Sequence, residues 1–209
     1  MNVGHTLSAA YPGKVIAVFA VTMSIAIAAL REHHPYPRFG PANVVTTVRA
    51  LLVATVAGFI GENVVPLLAV AVAGFAAVAA VLDGLDGWLA RRTGLASAFG
   101  ARFDVEVDAL LIQVLAVIAW QDHKAGAWVL ASGLVRYAFV AAGRIWPWMR
   151  APLTPTRRAR LICVLQVIAL IVAILPSMTP PLSHGIAAAG LALLCYSFFA
   201  DTLRLWRQR

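Results

Sequence analysis

The sequence predicts an all-α integral membrane protein with seven helices. Of its 209 residues, 61% are hydrophobic and only 12% are charged, and the mean hydropathy is +0.83. Soluble domains carry about a quarter charged residues, so this composition excludes a disordered chain and an ordinary soluble domain. A helix needs about 20 apolar residues to cross a bilayer, so six or seven spans would use most of the chain and favour a single membrane domain.

Seven apolar stretches, separated by polar or proline-containing segments, define the helices. We expect them at residues 15–30, 43–60, 65–82 with a continuation into charged sequence, 100–120, 125–140, 161–174 and 185–200. The first stretch has an alternative as a cleavable leader, with Ala26 and Ala28 as its small-residue pair. The 14 residues before this stretch contain a single lysine, at their very end, and so make a poor basic n-region for a signal peptide. We therefore expect the stretch to be retained as an anchoring helix.

The distribution of basic residues predicts the orientation. The chain has 17 Lys and Arg against nine Asp and Glu, a net charge of +8. These residues lie between apolar stretches, so they indicate membrane topology and we expect no nucleic-acid partner. Thirteen fall on one alternating set of connections and only Lys14 and Lys124 on the other, while Arg49 and Arg136 lie inside helices. The arginine-rich side should be cytoplasmic, in what we expect to be a bacterial inner (cell) membrane.

Five of the nine acidic residues fall between Asp83 and Asp108, where the third and fourth helices join on the predicted cytoplasmic side. Acids at membrane depth are unfavourable unless a ligand or a counter-charge compensates them. Asp83 and Asp86 are three residues apart and Asp104 and Asp108 four, so each pair shares a helix face. If the two helices are neighbours, these four carboxylates, here called the acidic cluster, converge. We expect them to bind two divalent ions, since all-oxygen ligands suit Mg²⁺, Mn²⁺ or Ca²⁺ better than zinc.

Small residues accompany the acidic cluster. Gly87 follows Asp86, Ala90 lies one turn later, and Gly100 lies one turn before Asp104. Each alone is explained by close packing of membrane helices, which small residues permit. Together with the acids, they indicate a groove whose backbone can approach a bulky phosphorylated ligand.

The acidic stretch resembles the signature of the CDP-alcohol phosphatidyltransferase family, D-x2-D-G-x2-A-R-x8-G-x3-D-x3-D. Its eight fixed positions fall on Asp83, Asp86, Gly87, Ala90, Arg91, Gly100, Asp104 and Asp108. Eight matches in 26 positions are far more specific than a lone glycine motif. Upstream, the segment from Asn43 through Thr46 to Arg49 is similar to the N-x2-T-x2-R that opens the first core helix of the family. The resemblance implies a six-helix core in residues 43–209, after an extra hydrophobic helix and linker in residues 1–42.

The resemblance also implies a reaction: transfer of a phosphatidyl group from a CDP-alcohol, above all CDP-diacylglycerol, to a hydroxyl acceptor with release of CMP. By resemblance, Asp83, Asp86 and Asp104 are ligands of Mg²⁺ or Mn²⁺. Asp108 also lies at the metal site and is the general base for the incoming hydroxyl. Family members are commonly homodimers, so we expect a homodimer.

Other positions have two interpretations. Arg91 would engage phosphate or lock the acidic cluster, or else serve as a cytoplasmic anchor. Asn43 and Thr46 would line the nucleotide side, or else act as a helix cap and an interhelical hydrogen bond. The arginines of the next cytoplasmic loop would mark topology, or bind an acceptor phosphate or anionic lipid. They are Arg144, Arg150, Arg157, Arg158 and Arg160.

The acceptor and the direction of the chemistry stay open. A polyol phosphate, a polyol, serine or another lipid all fit, and delivery of a CDP-linked polar headgroup to a lipid alcohol uses the same motif. The alternative from another class is a cation transporter, whose intramembrane acids would bind the carried ion. A transporter predicts ion flux and no CMP release. A catalytically silent scaffold would tolerate Asp108→Asn.

Overall fold

The computed structural model describes residues 7–33, 39–63, 65–93, 97–150 and 156–207. Within these ranges it contains seven α-helices, two single-turn 3₁₀ helices and no strand, which confirms the predicted all-α fold. The α-helices are α1 (Tyr11–His33), α2 (Pro41–Ala57), α3 (Pro66–Thr93), α4 (Ala98–Gln121), α5 (Ala131–Ile145), α6 (Arg157–Ile174) and α7 (Leu182–Arg207).

Local sequence signals explain where several helices begin. Proline occupies the first position of α2 and of α3. A backbone N–H at this position has no acceptor within the helix, so proline, which lacks it, loses no hydrogen bond. The hydroxyl of Thr156 caps α6 by accepting a hydrogen bond from the Ala159 N–H at 3.1 Å, so α6 starts four residues before the predicted 161. Residues 127–130 form a 3₁₀ turn, so α5 starts at Ala131 and not at the predicted 125.

Four of the described helical segments are long and apolar enough to cross a membrane. They are Tyr11–Ala28, Pro66–Thr93, Ala127–Ile145 and Leu182–Arg207. Helix α2 is apolar but has only 17 residues, while α4 carries four charged residues, Arg102, Asp104, Glu106 and Asp108, and α6 begins with arginines. The chain is therefore an integral membrane protein, and the crossing of all seven helices stays a prediction.

The chain forms two compact units, Met1–Val114 and Leu115–Arg209. In the first unit, α2 packs against both α1 and α3. The buried face of α3 consists almost entirely of small residues between Ala69 and Ala79, and Ala50 and Ala54 are among the buried residues of α2. Such residues let two helix backbones approach closely. This close approach brings side chains of α2 within reach of the carboxyl-terminal half of α3.

The start of α1 is bound to the end of α2 by what we call the α1–α2 clamp: Ser8, Lys14 and Glu62. The Glu62 carboxylate accepts hydrogen bonds from the Ser8 N–H at 2.9 Å, the Ser8 hydroxyl at 2.5 Å and the Lys14 ammonium at 2.6 Å. The Tyr11 ring packs edge-on against Phe59 at 5.0 Å. These contacts attach α1 to the rest of the first unit.

In the second unit, α7 packs against α5 and α6. A side chain at Gly190 of α7 would meet Ala169 of α6 at 3.0 Å and the Gln166 amide, so glycine permits this contact. Gln166 is buried and donates a hydrogen bond from its amide nitrogen to the Ser132 hydroxyl at 3.0 Å. Polar side chains thus connect helices of this unit, as expected in a membrane interior.

Gly58 offers a test of the α1–α2 contact. A Cβ at this position would lie 2.7 Å from Val15 Cγ2 and 2.8 Å from Tyr11 Cε2, whereas one at Gly74 meets nothing within 4 Å. We expect Gly58→Ala to lower the free energy of unfolding in detergent by about 1–3 kcal/mol through overpacking. Gly74→Ala is the matched control and should be neutral or slightly stabilising. Equal stability of the two variants would contradict this contact.

The clamp should also impose a pH dependence. Hydrogen bonds from Lys14 and Ser8 lower the pKa of Glu62 to about 2. Because the unfolded carboxyl has a pKa of ~4.3, the stabilisation is complete above that pH and is lost as the pH falls through the lower pKa of the folded state. We expect the difference in Tm between the wild type and Glu62→Gln to be constant above pH ~5 and to vanish toward the folded pKa. A pH-independent difference would refute this.

Candidate active site

The four aspartates of the acidic cluster come from two helices and meet around one arginine from a third. Asp83 and Asp86 lie one turn apart near the end of α3, and Asp104 and Asp108 lie one turn apart near the start of α4. The guanidinium of Arg49, on α2, pairs with all four. Its Nη2 lies 3.1 Å from Asp83 Oδ1 and its Nη1 lies 2.7 Å from Asp86 Oδ2, and the same two nitrogens contact Asp108 Oδ1 and Asp104 Oδ1 more closely.

Three of the four carboxylate contacts of Arg49 are hydrogen bonds: Nη1 donates to Asp86 and Asp104, and Nη2 donates to Asp108, while Asp83 forms an ion pair. Besides the four carboxylate contacts, Nε donates a hydrogen bond to the backbone carbonyl of Ala79 at 3.2 Å. The side chain of Arg49 is only 1% exposed, so its charge is compensated within the protein and not by water. A planar fork with five N–H groups can satisfy five oxygens at once, which an ammonium cannot do.

One aspartate of the acidic cluster is buried, and the other three are partly exposed to solvent. The side chain of Asp86 is 5% exposed, whereas those of Asp83, Asp104 and Asp108 are 27%, 33% and 23% exposed. The three accessible residues each offer one carboxylate oxygen, and these oxygens lie within 4.8 Å of one another. All-oxygen donors at such spacing fit a hard divalent cation.

Two further predicted residues lie on α2: Thr46 contacts the cluster, and Asn43 contacts α4. The Thr46 hydroxyl lies 3.1 Å from Asp86 Oδ2 and is within hydrogen-bonding distance of the Ala42 carbonyl. Asn43 is buried and donates a hydrogen bond from its amide nitrogen to the Phe39 carbonyl. Its amide oxygen faces Gly100, where a Cβ would lie only 2.8 Å away. The glycine therefore allows α4 to approach the Asn43 side chain.

The remaining predicted residues lie at the end of α3. Gly87 and Ala90 are partly exposed, and the side chain of Arg91 is exposed. The Arg91 Nη1 lies over Gly87, where a Cβ would be 3.4 Å from it. In the described structure Arg49 makes the ion pairs that lock the acidic cluster, and a contact of Arg91 with phosphate stays a prediction.

The sequence alone does not assign Arg49 to the site, although two signals point to it. An arginine within a membrane helix is by default paired or functional. Arg49 also follows Asn43 and Thr46 at steps of three residues, so all three share one face of α2. All three are buried.

Three helices of this membrane protein, α2, α3 and α4, thus converge on clustered carboxylates that could hold a metal ion. The sequence profile of the CDP-alcohol phosphatidyltransferase family matches residues 39–198, and the chain belongs to this family. No solved structure was found to match the chain. The family assignment confirms the resemblance noted from the motif and implies CDP-alcohol phosphotransferase activity. It also implies a CDP-alcohol substrate, a hydroxyl acceptor and a membrane lipid environment.

Gly100 offers a test of the site geometry. Gly100→Ala places a methyl group against the Asn43 amide oxygen and should displace that side chain or α4. Because misplacement by about 1 Å can reduce a rate about 100-fold, we expect transferase activity to fall by about 10- to 100-fold. The measurement is CMP release from a CDP-alcohol. Gly84→Ala, where a Cβ meets nothing within 4 Å, is the matched control. Equal activity of the two variants would argue against the tight contact.

Proposed function

We propose that this protein catalyses the metal-dependent transfer of a phosphatidyl group from CDP-diacylglycerol to a hydroxyl acceptor, with release of CMP, in phospholipid biosynthesis. The observation that carries the proposal is the complete eight-residue motif with its four carboxylates gathered around one point. Membership in the family supports the general reaction. The choice of CDP-diacylglycerol as donor is our proposal.

The reaction forms one bond and breaks one. The acceptor hydroxyl oxygen attacks the phosphorus that carries the diacylglycerol, and a new O–P bond forms. The bond from this phosphorus to the oxygen shared with the cytidylyl phosphate breaks, and CMP leaves with that oxygen and its electron pair. The hydroxyl proton passes to a base, which we assign to Asp108. Its side chain is accessible, as a base for an incoming alcohol must be, while Asp86 is enclosed.

We propose two divalent ions, Mg²⁺ or Mn²⁺, as cofactors held by the acidic cluster. When bound, such ions offset the charge of the diphosphate and of the leaving CMP. The all-oxygen donor set and the close spacing of Asp83, Asp104 and Asp108 support this assignment. Asp86 is assigned to the same ligand set from the motif, and the Thr46 hydroxyl orients its carboxylate.

We assign substrate binding to the residues that surround the acidic cluster. They are Asn43, Thr46, Gly87, Ala90, Arg91 and Gly100. We assign the exposed Arg91 guanidinium to a phosphate of the substrate, for which its planar donors are suited. Asn43 is assigned to the nucleotide because it lies on the same face of α2 as Thr46 and Arg49 and its amide can both donate and accept hydrogen bonds.

The orientation is part of the proposal. The acids lie at the end of α3 and the start of α4, next to Arg91 and Arg92, so the positive-inside rule supports a site that faces the cytoplasm. We propose the inner (cell) membrane of a bacterium as the location and a homodimer as the active form. Large apolar side chains such as Leu67, Val81 and Phe199 are exposed and suit contact with lipid tails.

The test uses the purified full-length protein in lipid nanodiscs. CDP-diacylglycerol is supplied with a polyol phosphate, a polyol, serine or a lipid alcohol, each with Mg²⁺, Mn²⁺ or excess chelator. We expect CMP release with one acceptor, only when a divalent ion is present. Turnover in excess chelator would refute the metal role. Release only from a CDP-linked polar headgroup with diacylglycerol would refute the choice of donor.

The same assay tests the base. We expect Asp108→Asn to reduce CMP release by about 10²-fold or more while the protein remains folded, because an amide cannot accept the proton. Asp122→Asn, in the loop after α4 and outside the candidate site, is the matched control and should retain activity. Near-wild-type activity of Asp108→Asn would refute the assignment. Ion flux into liposomes without CMP release would instead favour a cation transporter.

A further inference from the structure

Arg49 and a metal ion require the same ligands. Three of the four aspartates that pair with Arg49 are the three whose oxygens lie within 4.8 Å of one another. Mg²⁺ binds oxygens at about 2.0–2.1 Å from a common centre and takes their lone pairs. A carboxylate oxygen engaged by a guanidinium N–H is a weaker ligand for an ion. Arg49 and the metal are therefore competitors for this set of carboxylates.

The buried Arg49 also compensates the repulsion among the four carboxylates in the metal-free protein. Four carboxylates close together in a site of low dielectric repel one another and lose hydration, which is strongly unfavourable without a counter-charge. Arg49 supplies one positive charge and five donors, and its Nε is bound to the Ala79 carbonyl. The arginine thus fixes the positions of Asp83, Asp86, Asp104 and Asp108 relative to α2.

We propose that Arg49 is the resident counter-cation of the acidic cluster. It holds the four carboxylates together in the metal-free protein, competes with divalent ions for them and so sets the metal affinity. The inference rests on the metal-binding part of the proposed function. Arg49 is a positioning residue, because it acts through the aspartates and not on the substrate.

Linkage makes the proposal measurable without an activity assay. If Arg49 stabilises the metal-free protein more than the metal-bound protein, then its removal must tighten metal binding by the same factor. If Arg49 instead stabilises the metal-free and the metal-bound protein equally, its removal leaves the metal affinity unchanged. The two roles therefore differ in the sign of one equilibrium measurement.

The experiment measures Mn²⁺ binding by the electron paramagnetic resonance signal of the free ion, with protein in nanodiscs and no substrate. Repulsion from a unit positive charge a few ångströms away weakens the binding of a cation by about tenfold or more. We therefore expect the Mn²⁺ affinity of Arg49→Gln to be at least about tenfold higher than that of the wild type. Arg92→Gln is the matched control: its exposed guanidinium stacks on Trp88 at 4.9 Å and lies outside the cluster, so its Mn²⁺ affinity should equal that of the wild type.

Thermal unfolding gives a second readout. In chelator, Arg49→Gln should melt well below the wild type, and saturating Mn²⁺ should close most of this gap because the ions replace the missing cation. A gap of the same size in both conditions, or Mn²⁺ binding that is unchanged or weaker, would overturn the proposal. If Arg49→Gln folds only with Mn²⁺ present, the proposal is supported. If it folds in neither condition, Arg49→Lys decides, since an ammonium satisfies fewer oxygens and should bind Mn²⁺ more tightly than the wild type.

The wild-type CMP assay separates this proposal from the proposed function. CMP release by the wild type, combined with unchanged Mn²⁺ affinity of Arg49→Gln, would refute the counter-cation role and leave the transferase intact. Tighter Mn²⁺ binding by Arg49→Gln, with no CMP release by the wild type from any CDP-alcohol, would refute the transferase and leave the counter-cation role.

Discussion

The structure depends on one electrostatic constraint: four carboxylates share a site inside a bundle of apolar helices. Such a group is stable only if cations are brought to it. Arg49 meets this need by entering from α2 and pairing with residues of both α3 and α4. The ion pairs therefore link three helices at the position where the family motif lies. The same interaction organises the site and stabilises the first unit of the chain.

The packing of α2 on α3 is what permits this arrangement. Between Ala69 and Ala79, α3 presents small side chains to α2, and the backbone carbonyl of Ala79 is open to the Arg49 Nε. A larger residue at Ala79 would separate the helices and cover that carbonyl. Gly100 serves the same purpose between Asn43 and α4. At these positions the small residues serve the close packing of helices, which is the first of the two interpretations drawn from the sequence.

Much of the fold and of the site follows from the sequence. Uninterrupted apolar length predicts seven helices, and the spacing of three and four residues correctly predicts that Asp83 with Asp86 and Asp104 with Asp108 share helix faces. The partner of the acids does not follow, because pairing between α2 and α4 is a tertiary property that no local pattern encodes. Arg91 is the attractive candidate in sequence because it belongs to the motif, yet its side chain lies at the exposed end of α3. Helix limits at Ala131 and Arg157 depend on a 3₁₀ turn and on the Thr156 cap.

The position of the α1–α2 clamp has a practical consequence. Thr46 and Arg49 lie in the first half of α2, whereas Gly58 and Glu62 follow its last residue. From Thr46 to the end of α2 is about 16 Å at 1.5 Å per residue. An antibody fragment raised against the exposed residues beside this clamp, such as Ser8 and Gly61, would therefore bind the protein far from the acids. Such a fragment would add mass for electron cryomicroscopy of this small protein and leave the acidic cluster uncovered.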